Sequence, residues 1–298
     1  MSANVENDNE AQNQDKLTLA QLTAIENEIK TSQPLTSQLL PISALLHQYS
    51  NGDEAQQSSA GFIQSAQFLC NKYSSMRRVR GDGNCYYRAF LYSLCEQLLN
   101  NYTTNSQEFN RIKEITVNSL KWVCQFGYEE MAIDMFHEEL VELFDFLEKS
   151  LSATDESKVD IDALKQQLHN KLNEENSTSD YCTWFFRLLS AAQMKSNPDR
   201  FLPFLLADEL HGNMDIATFC SREVEPMGRE CGMVTVAALA ECMGVKVVIE
   251  YVDGRVSNGG GSGEEVVNHV FGEVEGDGGK DQMCLTLLYR PGHYDILY

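Results

Sequence analysis

The sequence predicts an α+β fold in which a long helical region packs against a small sheet near the C-terminus. Between residues 86 and 222, apolar side chains recur at the spacing of amphipathic helices. In the C-terminal quarter the apolar period changes to two, which is typical of half-buried strands. The chain has 298 residues, of which 43% are hydrophobic, so it can bury a core without needing disulfides.

The N-terminal part of the chain predicts a tail followed by a helical arm. Residues 1–16 contain almost no apolar side chains, which predicts disorder. Residues 17–29 carry an apolar stripe at helical spacing. We therefore expect a helical arm over about residues 17–58, at the start of one domain that spans 17–298. The arm could contact a partner, or its helix could pack on its own domain.

Three strands and one loop are predicted in the C-terminal quarter. Residues 245–251 and 283–289 alternate between apolar and polar side chains, and residues 294–298 continue this period to the last residue. Between the first two strands, residues 253–281 are acidic and rich in glycine. This composition predicts a flexible surface loop.

Charge and cysteine usage limit the classes of partner and compartment. The 44 acidic and 23 basic residues give a net charge of -21, which repels nucleic acids and anionic membrane surfaces and favours a basic protein partner. The nine cysteines form no CxxC pair, and an odd number cannot all pair within one chain, so we expect free thiols in a reducing compartment. The polar N-terminus and the lack of a long apolar run predict a cytoplasmic or nuclear protein.

A polar loop leads directly into one cysteine. The segment 80–90 reads RGDGNCYYRAF, and its two glycines permit a tight turn before a helical stripe begins. Cys85 should therefore lie at a helix N-terminus, where free backbone N–H groups favour a thiolate and can hold an oxyanion. The alternative is a buried, inert cysteine after an ordinary turn. That alternative does not explain why so polar a loop precedes it.

A thiolate nucleophile needs a base and a group that orients the base. His293 follows a Pro-Gly pair and opens the last predicted strand, and Asp295 lies two residues further on. Side chains two apart on a strand share a face, with their Cα atoms roughly 6.5 Å apart. The carboxylate can therefore reach one imidazole nitrogen and leave the other for Cys85. Taken alone, the two residues could equally be a surface pair at a strand end.

Two motifs resemble a known family. The segment GDGNCYYRAF, residues 81–90, resembles the nucleophile segment of the OTU (ovarian-tumour) cysteine proteases. The closing YRPGHYDILY, residues 289–298, is similar to the otubain branch in particular. The resemblance covers about residues 20–298. It implies a papain-like OTU fold and a deubiquitinase, a ubiquitin-specific cysteine isopeptidase that acts on ubiquitin conjugates or polyubiquitin through an acyl-enzyme.

The resemblance also implies roles for individual residues. Cys85 would attack the isopeptide carbonyl, His293 would act as general base and then acid, and Asp295 would orient His293. Asp82 would belong to the active site and shape the loop before the cysteine. The backbone amides expected to form the oxyanion hole are those of Asp82, Gly83 and Asn84. No metal or cofactor is expected.

Other readings of the same resemblance remain open. Residues 227–233 depart from the polar, histidine-containing stretch usual in the family, in a region near its distal ubiquitin contacts. The chain could be a regulator that binds ubiquitin or ubiquitin-conjugating enzymes without cleavage, with the arm as a contact. It could also be a protease for another modifier or an ordinary peptide. Replacing Cys85 by alanine separates cleavage from binding.

Overall fold

The predicted fold class is confirmed by the computed structural model, in which helices pack against a mixed sheet. The structure describes residues 20–21, 23–25, 27–51, 60–102, 105–152, 160–208, 210–254, 266–273 and 282–298. The predicted tail at 1–16 lies outside these residues. Within them, no helix combines the length and the apolar character that crossing a bilayer requires.

Helices make up most of the described chain. A short helical segment at residues 27–32 precedes the elements that we number here. The α-helices are α1 Ser43–Asn51, α2 Ala60–Lys72, α3 Cys85–Asn101, α4 Ser106–Val123, α5 Glu130–Ser152, α6 Ile161–Leu172, α7 Thr178–Ser196, α8 Pro198–Leu206, α9 Ile216–Phe219 and α10 Met233–Met243. A 3₁₀ turn at Cys124–Phe126 follows α4, and a π-helical turn at Cys220–Val224 follows α9.

Two helices are buried on nearly every side and form the centre of the main core. Helix α3 packs against α7, which also contacts α5 and α10. The buried rings of Phe90 in α3 and Phe186 in α7 pack edge to face, with their centroids 5.4 Å apart. Because α3 begins at Cys85, the core holds the cysteine end of this helix in a fixed position.

The strands form one mixed sheet among the described residues. They are β1 Leu40–Pro41, β2 Ser75–Arg77, β3 Lys246–Tyr251, β4 Val267–Phe271, β5 Cys284–Arg290 and β6 His293–Leu297. Their order across the sheet is β1-β2-β6-β5-β3-β4, and only the β3–β5 pair is parallel. The last strand therefore lies beside β2, from the first third of the chain.

The prediction of one long loop at 253–281 is wrong in its middle. Strand β4 pairs antiparallel with β3, with Val248 opposite Val270 and Ile249 opposite His269. Valine and phenylalanine favour strands, and this short run of them was outweighed by the glycines on either side. The rest of the predicted loop, residues 255–265 and 274–281, lies outside the described residues.

The predicted arm is not separate from the domain over its described C-terminal part. Leu35, Leu45 and Tyr49 are buried, and Leu45 and Tyr49 pack in a second core cluster with residues of α2, β2 and β5. Strand β1 joins the sheet through β2. Residues 52–58 of the arm lie outside the described part. The apolar side chains Leu35, Leu45 and Tyr49 were the signal for this burial, since an exposed arm does not need them.

Candidate active site

The loop before Cys85 is held in a tight turn. Asp82 Oδ1 accepts a hydrogen bond from the Asn84 amide at 3.0 Å. Gly83 has a positive φ of 75°, and a Cβ at this position would lie 2.1 Å from the carbonyl oxygen of Gly228. The turn therefore needs glycine both for its backbone conformation and for the close approach of the neighbouring chain.

Asp82 is also anchored by a buried arginine. Arg88, on the first turns of α3, donates to Asp82 Oδ2 at 2.8 Å and to Asp180 Oδ1 at 2.7 Å. Its side chain is 3% exposed, so the two carboxylates are the partners that compensate its charge. Asp82 thus connects the backbone of the loop to the helix that carries the cysteine.

A second buried arginine, Arg187 of α7, holds the loop from the opposite side. Its guanidinium carbon lies 4.6 Å from the centre of the Tyr87 ring, and its side chain is completely buried. Its backbone and side-chain acceptors lie 2.8–2.9 Å away and are Gly83 O, Asn84 Oδ1, Val224 O and Arg229 O. Arg187 was not among the predicted site residues, although an arginine within the apolar run FFRLLS indicates that its side chain is buried and needs buried acceptors.

Asn84 occupies the N-cap position of α3 but does not cap it. Its side-chain oxygen instead accepts from Arg187 and from the Gly228 amide at 2.9 Å. Because no side chain from Asn84 covers the first turn, the helix N-terminus beside Cys85 keeps the character of an anion site. The Cys85 side chain lies at this end of the helix and is 2% exposed.

One part of the predicted oxyanion hole is corrected by this geometry. The Asn84 amide already donates to Asp82 Oδ1, so it is engaged within the loop. Asp82 Oδ1 lies two residues back along the chain, which makes this contact a local turn of the type that aspartate favours. The sequence prediction treated the three loop amides alike because it could not place the Asp82 carboxylate.

His293 and Asp295 lie side by side on β6. The imidazole Nε2 is 3.0 Å from Asp295 Oδ1. The other nitrogen, Nδ1, faces the loop before the cysteine and lies 3.6 Å from the position that a Cβ on Gly81 would take. The strand spacing thus produces the predicted contact, and it leaves Nδ1 as the nitrogen for the thiol.

Asp295 is a fully buried carboxylate with three donors. Besides His293, it accepts from the Val79 amide at 2.9 Å and from Arg290 Nη2 at 2.7 Å. Burial by itself would raise the pKa of Asp295, but the charge of Arg290 and the hydrogen bonds from His293 and Val79 hold that pKa below its usual range. Neither Arg290 nor the Val79 amide was among the partners predicted for Asp295.

The surroundings of the His293 imidazole favour its charged form. Burial by itself would lower the pKa of His293, but interactions with Asp295 and with Cys85 raise it to about 9. An imidazole that interacts with both a carboxylate and a thiol has the arrangement of a thiol nucleophile with its base and the group that orients the base. The structure therefore brings together residues that lie 208 positions apart in the chain, from Cys85 to His293.

Two grooves meet at these residues. One, of about 690 Å³, is lined by the loop 81–84 together with Arg88, Tyr181 and Trp184. The other, of about 640 Å³, is lined by His293, Arg290, Tyr49 and Gly81. Both grooves reach Gly81, which lies beside the His293 imidazole at the start of the loop that leads to Cys85. The described residues contain no group of three or more side chains arranged to hold a metal ion.

Comparisons with known proteins agree with one another. A model of the family described as Peptidase C65 Otubain matches residues 28–298. The Ubiquitin thioesterase OTUB1 of Rattus norvegicus is 34% identical over 284 residues, which cover 95% of this chain and 90% of that protein. An Arabidopsis thaliana protein, OVARIAN TUMOR DOMAIN-containing deubiquitinating enzyme 1, is 31% identical over 279 residues, which cover 92% of this chain and 84% of that protein.

Solved structures show the same fold. One complex, described as "The structure of h/ceOTUB1-ubiquitin aldehyde-UBCH5B~Ub", matches with a TM-score of 0.74 and 29% identity, covering 95% of this chain and 97% of the other. A second complex, "The structure of a ceOTUB1 ubiquitin aldehyde UBC13~Ub complex", matches with a TM-score of 0.73 and 30% identity. The match covers 93% of this chain and 98% of the other. The family match covers the cysteine loop and the histidine strand alike, and the chain belongs to the peptidase C65 otubain family.

Proposed function

We propose that this protein is a deubiquitinase, a cysteine isopeptidase that hydrolyses ubiquitin conjugates or polyubiquitin chains with Cys85 as nucleophile. The observation that carries the proposal is the interaction of one imidazole with both Asp295 and Cys85 where two grooves meet. The family and the relatives named as ubiquitin thioesterases support ubiquitin as the substrate.

The chemistry follows from the positions of the three side chains. His293 Nδ1 accepts the thiol proton, and the Cys85 thiolate attacks the isopeptide carbonyl. The imidazolium then donates this proton to the departing lysine amine, which leaves a thioester on Cys85. Water activated by the neutral imidazole hydrolyses the thioester and frees the ubiquitin carboxylate. Asp295 remains ionised and stabilises the imidazolium at each stage.

The oxyanion of each tetrahedral intermediate needs donors at the start of α3. We assign this role to the backbone amides of Asp82, Gly83 and Cys85, since the Asn84 amide is engaged with Asp82 Oδ1. The N-terminus of a helix of 17 residues adds its partial positive charge at the same place. Such donors act where negative charge develops and are worth on the order of 10²–10³ in rate each.

The test is a panel of di-ubiquitins of each linkage, incubated with the wild-type protein and with Cys85→Ala. We expect the wild-type protein to produce mono-ubiquitin from at least one linkage and Cys85→Ala to produce none. Cys284→Ala is the matched control, because Cys284 is an exposed thiol at the start of β5. Unchanged cleavage by Cys85→Ala, or no cleavage of any ubiquitin substrate by the wild type, would refute the proposal.

A second activity is supported by the comparisons. Two of the matching solved structures contain UBCH5B~Ub or UBC13~Ub according to their descriptions. We infer that this protein can also bind a ubiquitin-charged conjugating enzyme and restrain it without cleavage. In a ubiquitin chain-forming reaction, Cys85→Ala should still inhibit when added in excess. Loss of inhibition in this variant would limit the function to hydrolysis.

A further inference from the structure

Among the residues that the structure describes, Arg290 is the one strong cation in contact with the carboxylate that orients His293. It is the last residue of β5 and lies opposite His293 in the β5–β6 register. From there its Nη2 donates to Asp295 Oδ2 at 2.7 Å, while His293 Nε2 uses Oδ1. The two side chains that face each other across the hairpin thus hold the two oxygens of one carboxylate.

The ion pair between Arg290 and Asp295 is buried, so each charge depends on the other for compensation. The Arg290 side chain is 16% exposed and that of Asp295 is 0% exposed. A buried carboxylate without a cation is costly and tends to take up a proton. Among the groups that lower the pKa of Asp295 against the effect of burial, the charge of Arg290 is the strongest.

From this geometry we propose that Arg290 is a positioning residue that keeps Asp295 ionised and oriented, and thereby sets the pH range in which Cys85 is reactive. The inference rests on the proposed roles of Cys85 and His293. In the reactive state, Arg290 and the imidazolium carry two positive charges, and Asp295 and the thiolate carry two negative charges. The cluster is then neutral.

Removing the arginine charge leaves the reactive state with one uncompensated negative charge in a buried site. The protonated forms of the cluster are then favoured, so the thiolate forms at a higher pH. Every titration of the coupled cluster moves in this same direction, because each one involves loss of a proton near the missing cation. A purely structural role would lower the rate at all pH values and leave the midpoint in place.

Other titratable groups face this cluster and remain the same in the variants. They are Tyr49 of α1 beside Arg290, Glu230 beside the hairpin turn at Gly292, and Cys231 and Tyr294 near Cys85. None of these four is a cation. The cation Arg78 lines the same groove as Arg290 and His293, but its Nη2 donates to Gln48 Oε1 at 3.1 Å, and it too is unchanged in the variants.

The test measures alkylation of Cys85 by iodoacetamide as a function of pH, without any ubiquitin substrate. Trypsin cleaves after Arg80 and Arg88, and the resulting peptide GDGNCYYR holds Cys85 as its single cysteine, so mass spectrometry can follow this thiol alone. We expect Arg290→Gln to move the midpoint upward by about one pH unit, about a tenfold loss of rate below the midpoint. The Cys284 peptide, read from the same samples, should keep its profile.

Two further variants separate charge from fold. Arg290→Lys keeps the positive charge and should keep the midpoint while losing some rate, because one ammonium replaces a planar fork. Arg77→Gln is the matched control, since Arg77 forms a similarly buried ion pair with Glu96 at 2.9 Å and does not contact Asp295. It should lower the melting temperature without moving the midpoint.

The outcomes are distinct from those of the function test. An unchanged midpoint in folded Arg290→Gln would overturn the inference, as would a midpoint in Arg290→Lys as high as in Arg290→Gln. If Arg290→Gln does not fold, Arg290→Met, another uncharged and unbranched replacement, takes its place, and a raised midpoint supports the inference while an unchanged one opposes it. Alkylation needs no ubiquitin, so the inference can stand or fall even if no ubiquitin substrate is cleaved.

Discussion

Replacing Gly83 by alanine perturbs the turn before Cys85 in two ways that can be separated. Its φ of 75° is left-handed, and in this region a Cβ costs about 1–2 kcal/mol. The added Cβ would also lie 2.1 Å from Gly228 O, although real Cβ contacts are essentially never shorter than 3.0 Å. One of the two backbone segments must therefore move by about 0.9 Å.

That movement breaks specific contacts. The Gly228 amide donates to Asn84 Oδ1 at 2.9 Å, and Arg187 joins Gly83 O to Arg229 O. Leaving one such buried group without its partner costs about 1–3 kcal/mol. With the cost of the left-handed φ, the expected loss for Gly83→Ala is about 2–5 kcal/mol. A shift of about 1 Å near the reacting atoms can also lower the rate about 10²-fold.

Gly127→Ala is the matched control for this prediction. Gly127 has a φ of 92°, but nothing lies within 4 Å of the position of its Cβ. It should lose only the 1–2 kcal/mol of the left-handed φ and keep full activity. Thermal unfolding and di-ubiquitin cleavage measure both variants, with each kcal/mol worth about 2–4 °C in Tm for domains near this size. Equal losses of stability and equal activity in the two variants would refute the reasoning.

Three further predictions concern the charged groups of the site. Asp82→Ala should slow cleavage at least about tenfold, while Asp180→Ala should not. Both carboxylates contact Arg88, but only Asp82 accepts a hydrogen bond from the Asn84 amide. Similar cleavage rates in the two variants would contradict a loop-shaping role for Asp82. Asp295→Asn should lower both turnover and the free energy of unfolding, the latter by about 3–5 kcal/mol, because it leaves a buried arginine unpaired, and urea unfolding measures this loss. The pKa of His293 is raised to about 9, so the stability that its protonated form contributes is complete below pH 6.5 and is lost as the pH rises through 9. The difference in free energy of unfolding between the wild type and His293→Ala should therefore shrink from pH 6.5 to 9. A constant difference from pH 6 to 10 would contradict this prediction.

The candidate site could be predicted from the sequence where local rules decide the geometry. The two-residue period of a strand is enough to place His293 and Asp295 on one face, and the start of a helical stripe is enough to place Cys85 at a helix N-terminus. These relations involve residues only a few positions apart. They hold whatever the rest of the fold does.

Partners from distant parts of the chain could not be predicted in this way. Arg187 reaches the loop from more than a hundred residues away, and Gly228 reaches it from further still. Their contacts depend on how α7 and the segment before α10 pack over α3, and no local period encodes that packing. The same holds for β4, whose pairing with β3 is a tertiary choice that the glycines on either side obscured.

The distance along the chain between Cys85 and His293 is bridged by one strand pair. Strand β2 pairs with β6, with Arg77 opposite Ile296. After β2, the Val79 amide donates to Asp295, and two residues later the chain enters the loop that leads to Cys85. The relative position of thiol and imidazole is therefore fixed by sheet register rather than by the loop alone. A slip of one residue would turn every β6 side chain to the other face, so the buried Asp295 contacts and the placement of the His293 imidazole beside the cysteine loop depend on the same register.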